Sequence, residues 1–473
     1  MSNLEEININ SLNEIIGQGK CSFLYGNGFS MNFDSSFGDI YNRLYENHRL
    51  IMKNFKIDCS SPNSTFKNKA ITNFKKVKEY VKNFDRRKIR ALFEDGIKFA
   101  KSINSNEKIK EELLNLPYII KLVSGETQLT ILDELCSCET LEGINIEYWS
   151  ILIYLYYAIK LIDSSHYTFP LNNKYINAIE LGDFVKTSVV NQKDLADILE
   201  KTYFNGLTTY YRVLFSATIF NSGKCLNLND LDKYNKIDRE KLLDFLLKFN
   251  SILTTNYDCI VEKLSENSIE PIHLHGAFVL DKKEFTYFLS LGINYKDNNY
   301  VSFSDVLIGD RFFKTGKSLI NSLTSKHYSN KKTIVNTKKI INNMGENTDS
   351  ILIFGLGLKN DIHIINGIIS YFYINKIKNP KIIYSYYDER QKEEFTREMK
   401  KNRLITLEEK HKNIKIMIDG TREISDYKEG EIHQIEKGFY DSIPCGDDGL
   451  EYFNNIKIKV VKVQDILENF FLK

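Results

Sequence analysis

Proline is scarce, at six residues in a chain of 473, about a quarter of the usual ~5%. That excludes a Pro-rich linker and leaves room for long helices. An excess of one charge sign is also lacking. Lys and Arg total 64 against 62 Asp and Glu, a formal charge of +2, so nothing calls for a polyanionic partner such as nucleic acid. The seven cysteines, Cys21, Cys59, Cys136, Cys138, Cys225, Cys259 and Cys445, are scattered, with no Cys-x-x-Cys pair. A disulfide framework and a four-cysteine zinc ribbon are thereby excluded, and Cys136 and Cys138 read as structural thiols in a helical stretch. Long apolar runs are missing too. The longest, Tyr148–Ile159, is shorter than the ~20 residues that span a bilayer. The acidic start Met-Ser-Asn-Leu-Glu-Glu has no apolar signal core. These absences lead us to expect a reducing, cytoplasmic setting without membrane contact.

What is present suffices for a sizeable core. Hydrophobic residues make up 42% and charged residues 27%, a balance that excludes a mainly disordered chain. The length fits two or three domains at ~150 residues each, or one elaborated domain. Ser22–Tyr25 is a short apolar run ending at Gly26-Asn27-Gly28, a buried strand followed by a tight loop. From Phe37 to about Phe249 the apolar spacing is helical, and Trp149–Leu161 is apolar nearly all round, as a central buried helix is. The character changes at Ser251. Strand-like segments follow at Ser251–Thr255, Pro271–His275, Ile351–Phe354, Lys381–Tyr387 and Ile456–Val463, with helical stretches at Asp361–Tyr373 and Asp388–Lys401. Alternating strands and helices predict a parallel α/β sheet. The expected architecture is one doubly wound sheet domain over 1–45 and 246–473, interrupted by a helical insertion over 46–245.

Four strand ends carry polar or glycine residues, and in a parallel sheet the carboxyl ends form the ligand-binding edge. Gly26-Asn27-Gly28-Phe29-Ser30 has glycines that let a backbone approach a diphosphate, or it is simply a strand-to-helix turn. Thr255-Asn256-Tyr257-Asp258 offers an amide and a carboxylate for a ribose hydroxyl and a carboxamide, or an Asx turn. His273-Leu274-His275-Gly276 puts both histidines on one strand face, suiting a general base or a packed core histidine. No further ligand has metal spacing, so no metal is expected. Gly355-Leu356-Gly357-Leu358-Lys359-Asn360-Asp361-Ile362-His363 is a second glycine loop, in which Asn360 or Asp361 could equally be a helix cap. Lys314-Thr315-Gly316-Lys317-Ser318 imitates the tail of a P-loop, but Arg311 stands where that loop needs its first glycine.

Taken in order, these pieces resemble the sirtuin-like superfamily, and within it the bacterial antiphage defence proteins of abortive-infection H type. Gly26, Gly28 and Ser30 are similar to its opening Gly-x-Gly-x-Ser, Thr255-Asn256-Tyr257-Asp258 to its Thr-x-Asn-x-Asp, and His275-Gly276 to its catalytic His-Gly pair. Phe354-Gly355 through Asn360-Asp361-Ile362-His363 is similar to its later Gly-rich strand-to-helix unit, although one residue short and lacking the usual serine. Under a quarter of the chain carries the likeness. The resemblance implies a sirtuin-like Rossmann fold and NAD+ as substrate. It places Asn256 on the ribose or attacking water, Asp258 on the nicotinamide carboxamide and His275 as general base, leaving open whether His273 or His363 assists. Asn27, Thr255, Gly276, Gly357, Asn360 and Asp361 would join Gly26, Gly28, Ser30 and Gly355 around the cofactor.

The four-cysteine zinc module of deacetylating sirtuins and their Gly-Ile-Pro-Asp-Phe-Arg extension are both absent. Those departures favour plain NAD+ glycohydrolysis over deacetylation. The resemblance further implies a homo-oligomer in the bacterial cytoplasm, silent until a phage protein or defence-system partner triggers it. A non-catalytic NAD+ or ADP-ribose sensor is the alternative, with His275 as the residue that separates the two.

Overall fold

The computed structural model describes residues 4–54, 56–58, 64–115, 128–138, 140–144, 148–162, 165–183, 201–202, 205–219, 227–274, 286–288, 293–295, 299–301, 340, 343–404, 452 and 454–473. His275, Gly276, Cys59, Cys225, Cys445 and the Lys314–Ser318 stretch lie outside these residues. The strands described are β1 (Glu5–Glu6), β2 (Cys21–Tyr25), β3 (Lys56–Asp58), β4 (Ile252–Thr254), β5 (Ile272–His273), β6 (Thr286–Phe288), β7 (Ile293–Tyr295), β8 (Asn299–Val301), β9 (Ser350–Phe354), β10 (Lys381–Tyr386) and β11 (Lys457–Lys462).

Seven of them form one sheet in the order β1-β11-β10-β9-β2-β4-β5, with every pair parallel. The fold is thus α/β with a parallel sheet. The chain leaves β2 for β4 and β5 on one side, then returns to place β9, β10 and β11 on the other. Strand order therefore reverses between β2 and β9, which pair over Cys21–Tyr25 and Ser350–Phe354. That reversal is the topological switch point of doubly wound sheets, the crevice where such folds hold ligands.

Alternation along the central strands explains the layering. Cys21, Phe23, Tyr25, Leu352 and Phe354 enter one core with the helices Ile9–Gly17, Arg239–Leu246 and Val463–Phe470. Leu24, Ile351 and Ile353 enter the opposite core with the helices Leu358–Ile374 and Glu389–Leu404. Both faces are covered, so these strands are apolar on both sides apart from the buried Ser22 and Ser350. Full burial of each such side chain stabilises by about 1.5–3 kcal/mol before entropy is counted.

A third core is largely helical and runs from Leu44 to Phe215. Its centre is the helix Trp149–Ile162, buried from Ile151 through Ile159, as its all-round apolar character predicts. Trp149 donates its indole N–H to Tyr41 at 2.8 Å, and Tyr175 donates its hydroxyl to the Trp149 carbonyl. Buried residues from Leu231 to Phe249 join the sheet's core instead. Among the described residues no helix is long and apolar enough to cross a membrane.

Candidate functional site

The site is built at the carboxyl ends of β2, β4, β5 and β9. After β2 the chain turns at Gly26 into a single helical turn, Asn27–Ser30. After β9 it turns at Gly355, whose φ of +62° is the left-handed conformation that favours glycine. These two turns pack backbone to backbone. Gly26 N–H donates to the Phe354 carbonyl and Gly28 N–H to the Gly355 carbonyl, each at 2.9 Å. A Cβ on Gly28 would lie 2.6 Å from Gly355 Cα, so neither loop tolerates a side chain at the contact. The glycines thus join the two halves of the sheet at the switch point. Gly28's N–H is already engaged, whereas Asn27 and Gly357 stand exposed at the rim.

A buried polar network lies beside this junction. Thr254, at the end of β4, donates its hydroxyl to the Tyr25 carbonyl at 3.0 Å and accepts the Asn256 N–H at 3.0 Å. Thr255 N–H donates to the same Tyr25 carbonyl at 3.1 Å. Ser30 donates its hydroxyl to Asp258 Oδ2 at 2.6 Å and accepts from Asn256 Nδ2 at 2.8 Å. Asp258 Oδ1 receives the Ile260 N–H at 3.2 Å, so the Asx turn weighed from the sequence is present in addition to the contact with Ser30. Burial pushes the Asp258 carboxyl above its ordinary range, opposed by the Ser30 and Ile260 donors.

The orientation of Asn256 follows from this chain of donors. Ser30 gives its proton to the carboxylate, so it can only accept from the Asn256 amide. The carboxamide oxygen Oδ1 is then left without a partner among the described residues, on a side chain otherwise held rigidly. It is the acceptor the site presents.

Beneath Asn256 sits a second buried pair. β5 lies against β4 with Thr254 opposite His273. His273 Nδ1 is 2.7 Å from the Asn256 carbonyl oxygen, and Nε2 is 2.7 Å from Glu262 Oε1. Both residues are buried. Cys259 stands close by, and the ligand atoms of Cys259, Glu262 and His273 fall within 4.8 Å of one another. Ligand atoms around a tetrahedral ion with ~2.1 Å bonds sit ~3.4 Å apart. The 2.7 Å contact of His273 with Glu262 is therefore a direct hydrogen bond as it stands.

No family model, no curated protein and no solved structure matches this chain.

The structure thus brings Gly26, Gly28, Ser30, Thr255, Asn256, Asp258 and Gly355 to one sheet edge. Gly357 caps the helix Leu358–Ile374, which begins ahead of both Asn360 and Asp361. Asp361 is a non-helical kink within that helix, at φ −119° and ψ 22°. His363 and Asn360 belong to the same helix. His275 and Gly276, two residues beyond β5, lie outside the described residues. Glu262 and Cys259 are site neighbours that sequence reasoning missed. Their only signal was helical spacing after Asp258, and nothing local pairs Glu262 with His273 until the β4–β5 register is known.

Proposed function

We propose that the chain is an NAD+ glycohydrolase that cleaves the nicotinamide–ribose bond, acting as an abortive-infection effector in bacterial antiphage defence. The observation that carries this reading is the immobilised Asn256 carboxamide, whose unpartnered oxygen stands at the switch point of a doubly wound sheet. Such an acceptor suits a ribose hydroxyl or an attacking water. The ordered resemblance of the glycine, Thr-x-Asn-x-Asp and His-Gly segments to sirtuin-like proteins supports the choice of dinucleotide.

The chemistry needs few groups. The C–N bond breaks with its electron pair going to the pyridinium nitrogen, so nicotinamide leaves neutral and no general acid is required. The ribosyl oxocarbenium then takes up water, whose proton passes to a base. His275 would serve as that base, a role worth typically 10²–10⁴-fold. Asp258, kept at the raised end of its range by burial, would receive the nicotinamide carboxamide N–H. The antiphage role rests on the resemblance alone.

Purified full-length protein, alone and with phage lysate, should release nicotinamide from NAD+, and Asn256→Ala or His275→Ala should lower the rate by about 10²-fold or more. Full activity in both variants overturns the site assignment. Tight binding of ADP-ribose with no turnover under any trigger would instead establish the sensor reading.

A further inference from the structure

We propose that the buried His273–Glu262 pair is the positioning element of the site, setting the aim of the Asn256 carboxamide from below. The inference rests on the NAD+ reading only for its kinetic arm. Asn256 is gripped at three atoms. Thr254 Oγ1 receives its N–H at 3.0 Å, Ser30 receives its carboxamide N–H at 2.8 Å, and His273 Nδ1 meets its carbonyl oxygen at 2.7 Å. The first two partners come from the end of β4 and from the helical turn that follows β2. The third ties the loop to the neighbouring strand β5, and it is the only one of the three that fixes the peptide plane following Asn256.

Donor and acceptor chemistry makes this tie specific. A carbonyl oxygen only accepts, so His273 Nδ1 carries a proton. Nε2 then faces Glu262 Oε1 at 2.7 Å, and one proton lies between that nitrogen and that oxygen. The ring is held at both ends and cannot flip without breaking a hydrogen bond at each. An orienting carboxylate or carbonyl on the far nitrogen is the usual device by which proteins fix an imidazole.

A buried pair of this kind is weak evidence for stability, because desolvation offsets the attraction. Positioning is the better account here. The pair is buried and bonded directly to Asn256, whose carboxamide oxygen has no partner among the described residues, and β5 also leads into the His-Gly segment.

Four full-length variants separate positioning from bulk structure. His273→Asn keeps a donor close to Nδ1 but releases Glu262, whereas His273→Leu removes the donor. Glu262→Gln keeps a hydrogen bond to the ring, whereas Glu262→Ala removes it. Crystal structures of His273→Leu and Glu262→Ala should show the Asn256 carboxamide withdrawn from Ser30, and those of His273→Asn and Glu262→Gln should show it retained. In the kinetic arm, the first two variants should lower kcat for nicotinamide release by roughly 10–100-fold with KM changed only a few-fold. The conservative pair should stay within a few-fold of wild type. Asn256 unmoved in Glu262→Ala and His273→Leu overturns the proposal, even if no NAD+ turnover is ever seen. A bound metal ion between Cys259, Glu262 and His273 in wild-type crystals would overturn it as well. Absent turnover in wild type with Asn256 displaced in those variants would overturn the NAD+ reading and leave the positioning role standing.

Discussion

Ser30 is the residue on which the polar order of the site depends, because one oxygen both donates to Asp258 and accepts from Asn256. Ser30→Ala should cost about 1–3 kcal/mol of stability, the penalty for buried groups left without partners. The pH dependence has a defined sign. Burial raises the folded carboxyl of Asp258, so the unfolded chain gives up that proton first and stability falls as pH rises out of the ordinary carboxyl range. Losing the Ser30 donor penalises the ionised form further. The destabilisation of Ser30→Ala should therefore be largest near neutrality and shrink in acid, as urea titrations from pH 4 to 8 would show.

His48 behaves oppositely. It is buried beside the Tyr210 hydroxyl at 2.9 Å, and burial lowers its pKa from 6.5 to about 4. The folded ring stays neutral where the unfolded one takes up a proton, so its contribution is intact above pH 6.5 and lost as pH falls toward 4. His48→Phe should flatten that acid limb of the melting curve. An unchanged difference in melting temperature between pH 7.5 and 5 would refute the assignment.

At the scale of elements, the junction of the β2 and β9 turns decides whether the two halves of the sheet share one edge. Gly355 has a left-handed φ, and a Cβ there would lie 2.7 Å from Gly28 Cα and 2.8 Å from Phe29 N. Gly355→Ala should lose about 1–3 kcal/mol from backbone strain alone, and on the proposed NAD+ reading nucleotide binding should fall with it. Calorimetry alongside chemical denaturation would test both. The same elements show what the sequence could disclose. β2, β9 and β10 are buried along nearly all their length, so their apolar residues stand out as short runs between turn residues, with the buried Ser22, Ser350 and Ser385 among them. β1 is two glutamates, and only its pairing with β11 makes it a strand, which no local pattern reveals. Asn256, Asp258 and Ser30 were legible as chemistry-bearing types at strand ends. The tie from Glu262 through His273 to the Asn256 carbonyl was not, since it depends on a strand register. The glycines were legible as close-approach positions, but what approaches is the other glycine loop, and that partner lies far along the chain.

At the scale of the whole molecule, the site loop reaches the helical core through an aromatic ring. Tyr257, between Asn256 and Asp258, packs against the helical cluster while its neighbours belong to the sheet edge. A rearrangement of the helices at that contact would reach the site through the ring. On the proposed NAD+ reading, Tyr257→Ala should therefore alter nicotinamide release more than it alters the melting temperature. Equal and proportionate losses of both would indicate packing alone. The strand order carries a further consequence, for synthesis on the ribosome. β2 is an interior strand whose two neighbours are β4 and β9, and Ser350 at the start of β9 follows Lys20 by 330 residues. At ~5–20 residues per second the emerging β2 waits roughly 16–66 s for that second partner. Until then the crevice between β2 and β9 does not exist, so a truncated or stalled nascent chain carries the glycine loop and Asn256 without the edge that brings them together.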